Sequence, residues 1–168
     1  LEKCLVLYGT GANGKSVFFD LVIALLGNEN ISNYSLQSLT DGSGYSRANL
    51  SGKLINYASE LSPKMNTSFF KMLVSGEPIE ARQVYQRAFL LHQIPKLIFN
   101  TNELPFDIEQ NDGFYRRFML LHFDQTISEQ EMDPELARKI IATELPGVFN
   151  WVLENFFSVI IYPWFYLE

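Results

Sequence analysis

The eight residues Gly9-Thr10-Gly11-Ala12-Asn13-Gly14-Lys15-Ser16 carry the strongest chemical signal in the sequence. They fit the pattern G-x-x-x-x-G-K-[ST], whose glycines let successive backbone N–H groups turn inward around a phosphate without collisions at Cβ. Lys15 supplies a point charge for the β- and γ-phosphates, and Ser16 offers a hydroxyl to Mg²⁺. A helix beginning at Lys15, with Val17 in its first turn, aims its positive end at the same anion. Composition alone produces such a string in roughly one chain in 200 of this length. The residues Gly9 to Val17 are therefore expected to hold a nucleotide. No base-reading motif of the N-K-x-D kind is visible, so ATP is the expected nucleotide rather than GTP.

Hydrolysis asks for three more groups: an acid that serves Mg²⁺ or the attacking water, a polar sensor near the γ-phosphate, and a cation for the charge of the transition state. In a parallel sheet such groups gather at the carboxyl ends of strands. Leu54-Ile55-Asn56-Tyr57-Ala58-Ser59-Glu60 reads as a strand ending in a carboxylate, Glu60. Lys96-Leu97-Ile98-Phe99-Asn100-Thr101-Asn102 reads as a strand ending in amides, with Asn102 the expected sensor and Asn100 the substitute. Arg116 and Arg117 stand before a further apolar run. Lys71, Arg82 and Arg87, with Gln83 and Tyr85, could grip a phosphate backbone and stack a base.

These groups need a scaffold. Cys4–Tyr8 is a short apolar run ended by glycine, which predicts a buried strand. Lys15–Leu26 is apolar nearly all round and stops at Gly27, which predicts a helix packed on a sheet. Leu54–Ala58, Lys96–Phe99 and Phe118–Phe123 predict three more strands. Thr67–Val74 predicts a helix ended by Gly76 and Pro78, and Ile79–Leu91 a hairpin. Asp133 caps a predicted helix over Pro134–Glu144, and a second follows from Pro146 to about Phe156. The fold class is thus α/β: a mostly parallel sheet flanked by helices, in the manner of phosphate-loop NTPases.

The chain of 168 residues is the size of one domain, and its apolar fraction of 47% excludes disordered and fibrous classes. Cys4 is the one cysteine and His92 and His122 the two histidines, which excludes a disulfide framework and a cysteine- or histidine-rich metal centre. The apolar stretch Phe156–Leu167 is shorter than the ~20 residues of a membrane-spanning helix. No leader marks the chain for secretion, so a cytoplasmic place is expected. The net charge of −6 argues against broad coating of nucleic acid. It leaves room for a few cations projected into a channel. The first strand starts almost at residue one, which suggests a single domain, 1–168, cut from a longer chain.

Taken together the motifs resemble the superfamily-three helicases, specifically the helicase domain of phage, plasmid and poxvirus primase–helicases. The resemblance runs from about Leu5 to Trp151. It rests on GTGANGKS followed by Phe18, NYASE ending at Glu60, FKMLVSGEPIEAR ending at Arg82, FNTNELP at Phe99–Pro105 and GFYRRF at Gly113–Phe118. It implies an AAA+-like ATPase that hydrolyses ATP with Mg²⁺ and works as a hexameric ring on single-stranded DNA. Gly9–Ser16 would be the Walker A loop, and Glu60 the Walker B acid acting with Ser16 on Mg²⁺. Asn102 would be the sensor, and Arg116 or Arg117 the finger reaching a neighbouring subunit's site. The segment from Lys71 to Arg82 would lead to a hairpin contacting single-stranded DNA. Two features depart from the family: Ala58-Ser59 stands where many motors carry an acid before the Glu, and the tail 156–168 is atypical. The phosphate loop alone also suits two other classes. One is a small-molecule kinase in which Arg116 and Arg117 clamp phosphate in cis; the other is a nucleotide-binding assembly module without catalysis.

Overall fold

The computed structural model describes residues 2–59, 61, 64–103 and 112–161, the last six of these as backbone alone. Glu60 and the tail 162–168 lie outside the described residues. The elements follow the order β1 (Cys4–Tyr8), α1 (Lys15–Leu26), β2 (Ile31–Ser32), α2 (Leu36–Leu39), α3 (Tyr45–Ala48), β3 (Ile55–Ala58), α4 (Thr67–Ser75), β4 (Ile79–Arg82), β5 (Ala88–Leu91), β6 (Lys96–Thr101), α5 (Asp112–Tyr115), β7 (Phe118–His122), α6 (Leu136–Thr143) and α7 (Leu145–Ile161). Strands β2, β3, β6, β1 and β7 form a sheet in that spatial order, every neighbouring pair parallel. The predicted hairpin forms separately, β4 pairing antiparallel with β5. This is the α/β architecture expected from the alternation of short apolar runs with helical stretches.

Each face of the sheet buries its own cluster. On one, Leu7, Ile31, Tyr57 and Ile98 pack against Phe18, Phe19, Val22 and Ile23 of α1. The Phe19 and Tyr57 rings stack there with centroids 3.7 Å apart. The other face is larger. Cys4, Val6, Leu97 and Phe99 meet Leu36 and Leu39 of α2, Phe70 and Leu73 of α4, and Phe114 of α5. Alternation along β1 sends Val6 to one cluster and Leu7 to the other, as the period of two in a strand requires.

The helix limits follow cap chemistry. Asn66 Oδ1 accepts from the amides of Ser68 and Phe69, which starts α4. Gly76, at φ 72°, ends it in the left-handed conformation that a helix terminator needs. Two predicted boundaries move. The helix expected from Pro134 begins at Leu136, after a turn in which Leu136 N donates to Asp133 O (3.1 Å). The last helix runs to Ile161 instead of about Phe156. No helix among the described residues is long and apolar enough to cross a membrane.

Candidate functional site

The glycine-rich loop leaves the carboxyl end of β1 and is pinned on both sides. Gly9 N donates to Thr101 O of β6 (3.2 Å), and Asn13 Nδ2 donates to Phe123 O, just past β7 (3.1 Å). Gly9 has no room for a side chain: a Cβ there would lie 2.3 Å from Asn13 Nδ2 and 2.4 Å from Phe123 O. Three residues of the loop lie at positive φ, Gly11 at 115°, Ala12 at 45° and Gly14 at 87°. Glycine takes up two of them freely, while Ala12 stands in a conformation that L residues adopt at a cost. Gly14 begins α1 with no side chain capping its first turn, so the amides there are left for an acceptor from outside the helix.

Lys15 is buried, the one residue of α1 that is. Its Nζ donates to Gly9 O (2.6 Å) and to Asn13 Oδ1 (2.9 Å). Burial pulls its pKa below the ordinary lysine value, since the charged form loses water. An anion brought beside it would oppose that shift by favouring the charged form.

A cavity of about 500 Å³ opens over the loop. Gly11, Ala12, Asn13, Gly14, Lys15, Ser16 and Val17 line it, with Asp20. Gly9 and Thr10 are not among its walls: Gly9 N is turned to β6 and its carbonyl to the Lys15 ammonium. Asn100 and Asn102 both line the cavity. Asn100 faces Leu7 in the register of β6 with β1, next to the strand that carries the loop. Its Oδ1 is buried without a hydrogen-bond partner among the described residues, whereas Asn102 is exposed. The sensor expected at Asn102 therefore has a second occupant of the same wall.

Ser16 is exposed on the cavity. A hydroxyl is a hard oxygen donor and suits Mg²⁺. No group of three or more His, Cys, Asp or Glu gathers among the described residues. A divalent cation held at Ser16 would be completed by phosphate oxygens and water, and Glu60, the other expected ligand, lies outside the described residues. Ala58, the last residue of β3, pairs with Phe99, so the chain leaves the sheet at the same edge as the cavity just before Glu60.

The arginines stand elsewhere. Cys4 N donates to Arg117 O (2.8 Å), and Phe118 pairs with Cys4 at the start of β1. Arg116 and Arg117 are thus at the amino edge of the sheet, while the loop follows its carboxyl edge. Four residue steps of β1, about 13 Å, separate the two edges. The reading in which these arginines clamp phosphate in cis is corrected by this placement. Arg117 is half-buried, donating to Gly113 O and to Ser75 Oγ (3.4 Å). Arg116 is exposed.

Of the three candidate DNA contacts, Arg82 and Arg87 flank the exposed turn of the hairpin, and Lys71 stands half-buried on α4 before it. Tyr85, fully exposed at φ 61°, is at the tip, and Val84 and Leu90 are exposed beside it. Arg47 of α3, which sequence reasoning missed, anchors the hairpin's base. It is 2% exposed, and its guanidinium donates to Glu80 O (2.7 Å), Leu39 O (2.9 Å) and Asp41 O (2.7 Å) and lies over the Phe69 ring. Burial lowers its pKa, against the pull of Asp41 and Glu80. Its only sequence signal is a lone cation between Ser46 and Ala48, which does not separate it from a surface residue.

Also missed was the far wall of the cavity, formed by Ile127, Met132, Pro134, Leu136 and Ala137 with Glu131 and Asp133. Ile127 N donates to Ala12 O (2.7 Å), which fastens that wall to the loop.

Comparison with known proteins bears on this arrangement. Residues 7–117 match a family described as a family of unknown function, DUF5906. The chain is 28% identical over 159 residues to a protein of Acanthamoeba polyphaga mimivirus named "Putative helicase L207/L206", covering 89% of this chain and 16% of that protein. Among solved structures it is similar to "The apo structure of NrS-1 C terminal region (305-718)", with a TM-score of 0.65 and 22% identity over 86% of this chain and 35% of the other. The A form of that region gives a TM-score of 0.63, also at 22% identity. This second likeness is one of fold. The chain spans about a sixth of the length of the mimivirus protein and about a third of the solved chains.

Proposed function

The chain belongs to the DUF5906 family, and we propose that it is the motor domain of a replication helicase, hydrolysing ATP with Mg²⁺ to move along single-stranded DNA. The observation that carries this reading is Lys15: an ammonium buried inside a glycine-rich loop, held by Gly9 O and Asn13 Oδ1, beside a 500 Å³ cavity at the carboxyl edge of a parallel sheet. The name of the mimivirus relative and the fold shared with the NrS-1 region support it.

In this mechanism the amides of Gly11 to Ser16 receive the β- and γ-phosphates, and Lys15 neutralises charge that moves onto the bridging oxygen. Mg²⁺, when bound through Ser16 and phosphate oxygens, supplies Lewis-acid polarisation. Asn102 and Asn100 orient the attacking water, and Glu60 takes its proton. Arg116, at the opposite edge of the sheet and exposed, is presented to a neighbour's site rather than its own. A ring, of the hexameric kind the sequence resemblance implies, brings each Arg116 to the next cavity. The hairpin with Arg82, Tyr85 and Arg87 contacts single-stranded DNA, with Lys71 behind it, and the superfamily-three assignment, a primase partner and a cytoplasmic place go with the same reading.

ATP turnover measured against protein concentration, with and without single-stranded DNA, tests it. Turnover should rise with both, and Lys15→Ala should abolish it. Concentration-independent hydrolysis that survives Lys15→Ala would remove the motor reading.

A further inference from the structure

Strand β7 (Phe118–His122) closes the sheet on one side, where β1 is its one neighbour among the described residues. Two hydrogen bonds fix which of its backbone groups that pairing uses. Cys4 N donates to Arg117 O (2.8 Å), and Phe123 N donates to Tyr8 O (2.7 Å). A residue of a parallel strand sends its amide and its carbonyl to the same side, so every second residue from Arg117 to Phe123 serves β1. Phe118, Leu120 and His122 therefore turn both groups outward, with no ladder partner among the described residues. The side chains are equally bare: Met119 is 45% exposed, Leu120 53% and Leu121 43%. Folded proteins ordinarily blunt an open edge with lysine, proline, a bulge or a covering segment. The run Phe118-Met119-Leu120-Leu121-His122 contains no Lys, Arg, Asp, Glu or Pro.

The two ends of this edge carry opposite charges. Arg116 stands two residues before the strand and Asp124 two residues after it, and both are exposed. Neither enters an ion pair among the described residues. We infer that the outer edge of β7 docks a second copy of this chain, paired antiparallel about Leu120. That register sets Phe118 opposite His122, Met119 opposite Leu121, and Arg116 of each copy opposite Asp124 of the other. It also brings the outward amides and carbonyls of the two Leu120 residues face to face, as an antiparallel ladder requires. Turning about Met119 instead sets Arg116 against His122, and turning about Leu121 sets Asp124 against Phe118; either one shortens the ladder and separates the charges. The neutral, apolar middle meets itself without like-charge repulsion. Five residues a side is a small interface, so the pair is weak. Because it takes up Arg116, it is a different assembly from a ring that presents Arg116 to a neighbour's cavity. It needs neither nucleotide nor DNA, so it stands or falls apart from the motor reading.

Sedimentation equilibrium of the chain without nucleotide, from about 10 μM to about 1 mM, should show monomer and dimer in exchange. Arg116→Asp should weaken the dimer about tenfold, and adding Asp124→Arg to it should restore association to within about threefold. Oxidation reads the register. Leu120→Cys places two thiols on directly opposed residues, about 5.5 Å apart at Cα and within disulfide reach. Met119→Cys leaves its two copies about 8 Å apart, beyond that reach. All four positions are exposed, so the fold survives the changes, and the native Cys4 is buried away from the oxidant. Leu120→Cys should cross-link and Met119→Cys should not. A monomer at every concentration, a dimer that the charge swap fails to rescue, or cross-linking at Met119→Cys equal to or above that at Leu120→Cys would overturn the pairing.

Discussion

The amide of Cys4 donates to the carbonyl of Arg117 across 2.8 Å, at the end of β1 opposite the one from which the Lys15 loop departs. The pair of arginines and the glycine-rich loop are thus held on one strand but at its two ends. Four kinds of measurement follow from this and from related placements.

Arg116 and Arg117, adjacent in sequence, should behave differently. Arg116 is exposed, so Arg116→Ala should leave the melting temperature within a degree or two and ATP affinity unchanged, while turnover of the assembled protein falls about 10³-fold. Arg117 ties Gly113 and Ser75 together, so Arg117→Ala should lower the melting temperature first. Calorimetry and turnover on both variants separate the roles. A stable Arg116→Ala protein with full turnover would end the proposal that it acts on a neighbour.

Asn100 offers a carbonyl oxygen that is buried and without a partner among the described residues, on a wall of the cavity. Removing it costs the fold little, because no hydrogen bond within the described protein is lost. Asn100→Ala should reduce kcat by about 10²-fold with ATP affinity held within threefold, as expected for a group that positions water. Single-turnover kinetics beside a binding titration would show this split; equal losses in both would instead mark a binding contact.

Alkaline pH should weaken the fold. Burial raises the Cys4 thiol to about 12 from 9.0. Burial, reinforced by Asp20, raises the Tyr57 hydroxyl to about 12 from 10.0. Between these limits the unfolded chain releases protons that the folded one retains. Stability is therefore fully present below about pH 9 and declines as pH climbs toward 12. Urea midpoints taken from pH 8 to 11 should fall steadily, and Cys4→Ala or Tyr57→Phe should flatten the slope. The same burial predicts that Cys4 resists alkylation at pH 8 until the protein is unfolded.

Arg47 should matter to stability out of proportion to its position in a four-residue helix. Arg47→Met keeps much of the volume but strands the carbonyls of Leu39, Asp41 and Glu80. A loss of about 3 kcal/mol or more in urea unfolding is expected. Because Glu80 belongs to β4, single-stranded DNA binding should weaken as well, readable in a fluorescence titration at low denaturant.

Much of this architecture was legible in residue order because it is written in short-range pattern. Strands β1, β3, β6 and β7 coincide with apolar runs, α1 starts at Lys15 and stops at Gly27, and the hairpin of Ile79–Leu91 closes as expected. The stretch from Asn28 to Lys53 was not read, and its physics explains why. Strand β2 is two residues long, and α2 and α3 are four each. They are held by distant side chains: Asn56, fully buried, accepts from Tyr34 N (3.0 Å) and donates to Tyr34 O (2.9 Å), and Arg47 gathers three carbonyls. No local periodicity encodes such bonds. Gly11 to Val17, which line the cavity, fall inside a motif legible in the sequence, whereas the wall from Ile127 to Ala137 does not, since apolar residues facing a cavity look the same as those facing a core. The arginines were identified as residues of interest, but only strand register reveals which edge they occupy.

The strand order β2-β3-β6-β1-β7 leaves β1 a single strand from the rim. Whatever settles above Gly11–Ser16 therefore rests near the flank of the molecule instead of deep in its middle. On the motor reading proposed above, a body docked at that flank reaches the cavity without any message having to cross the interior.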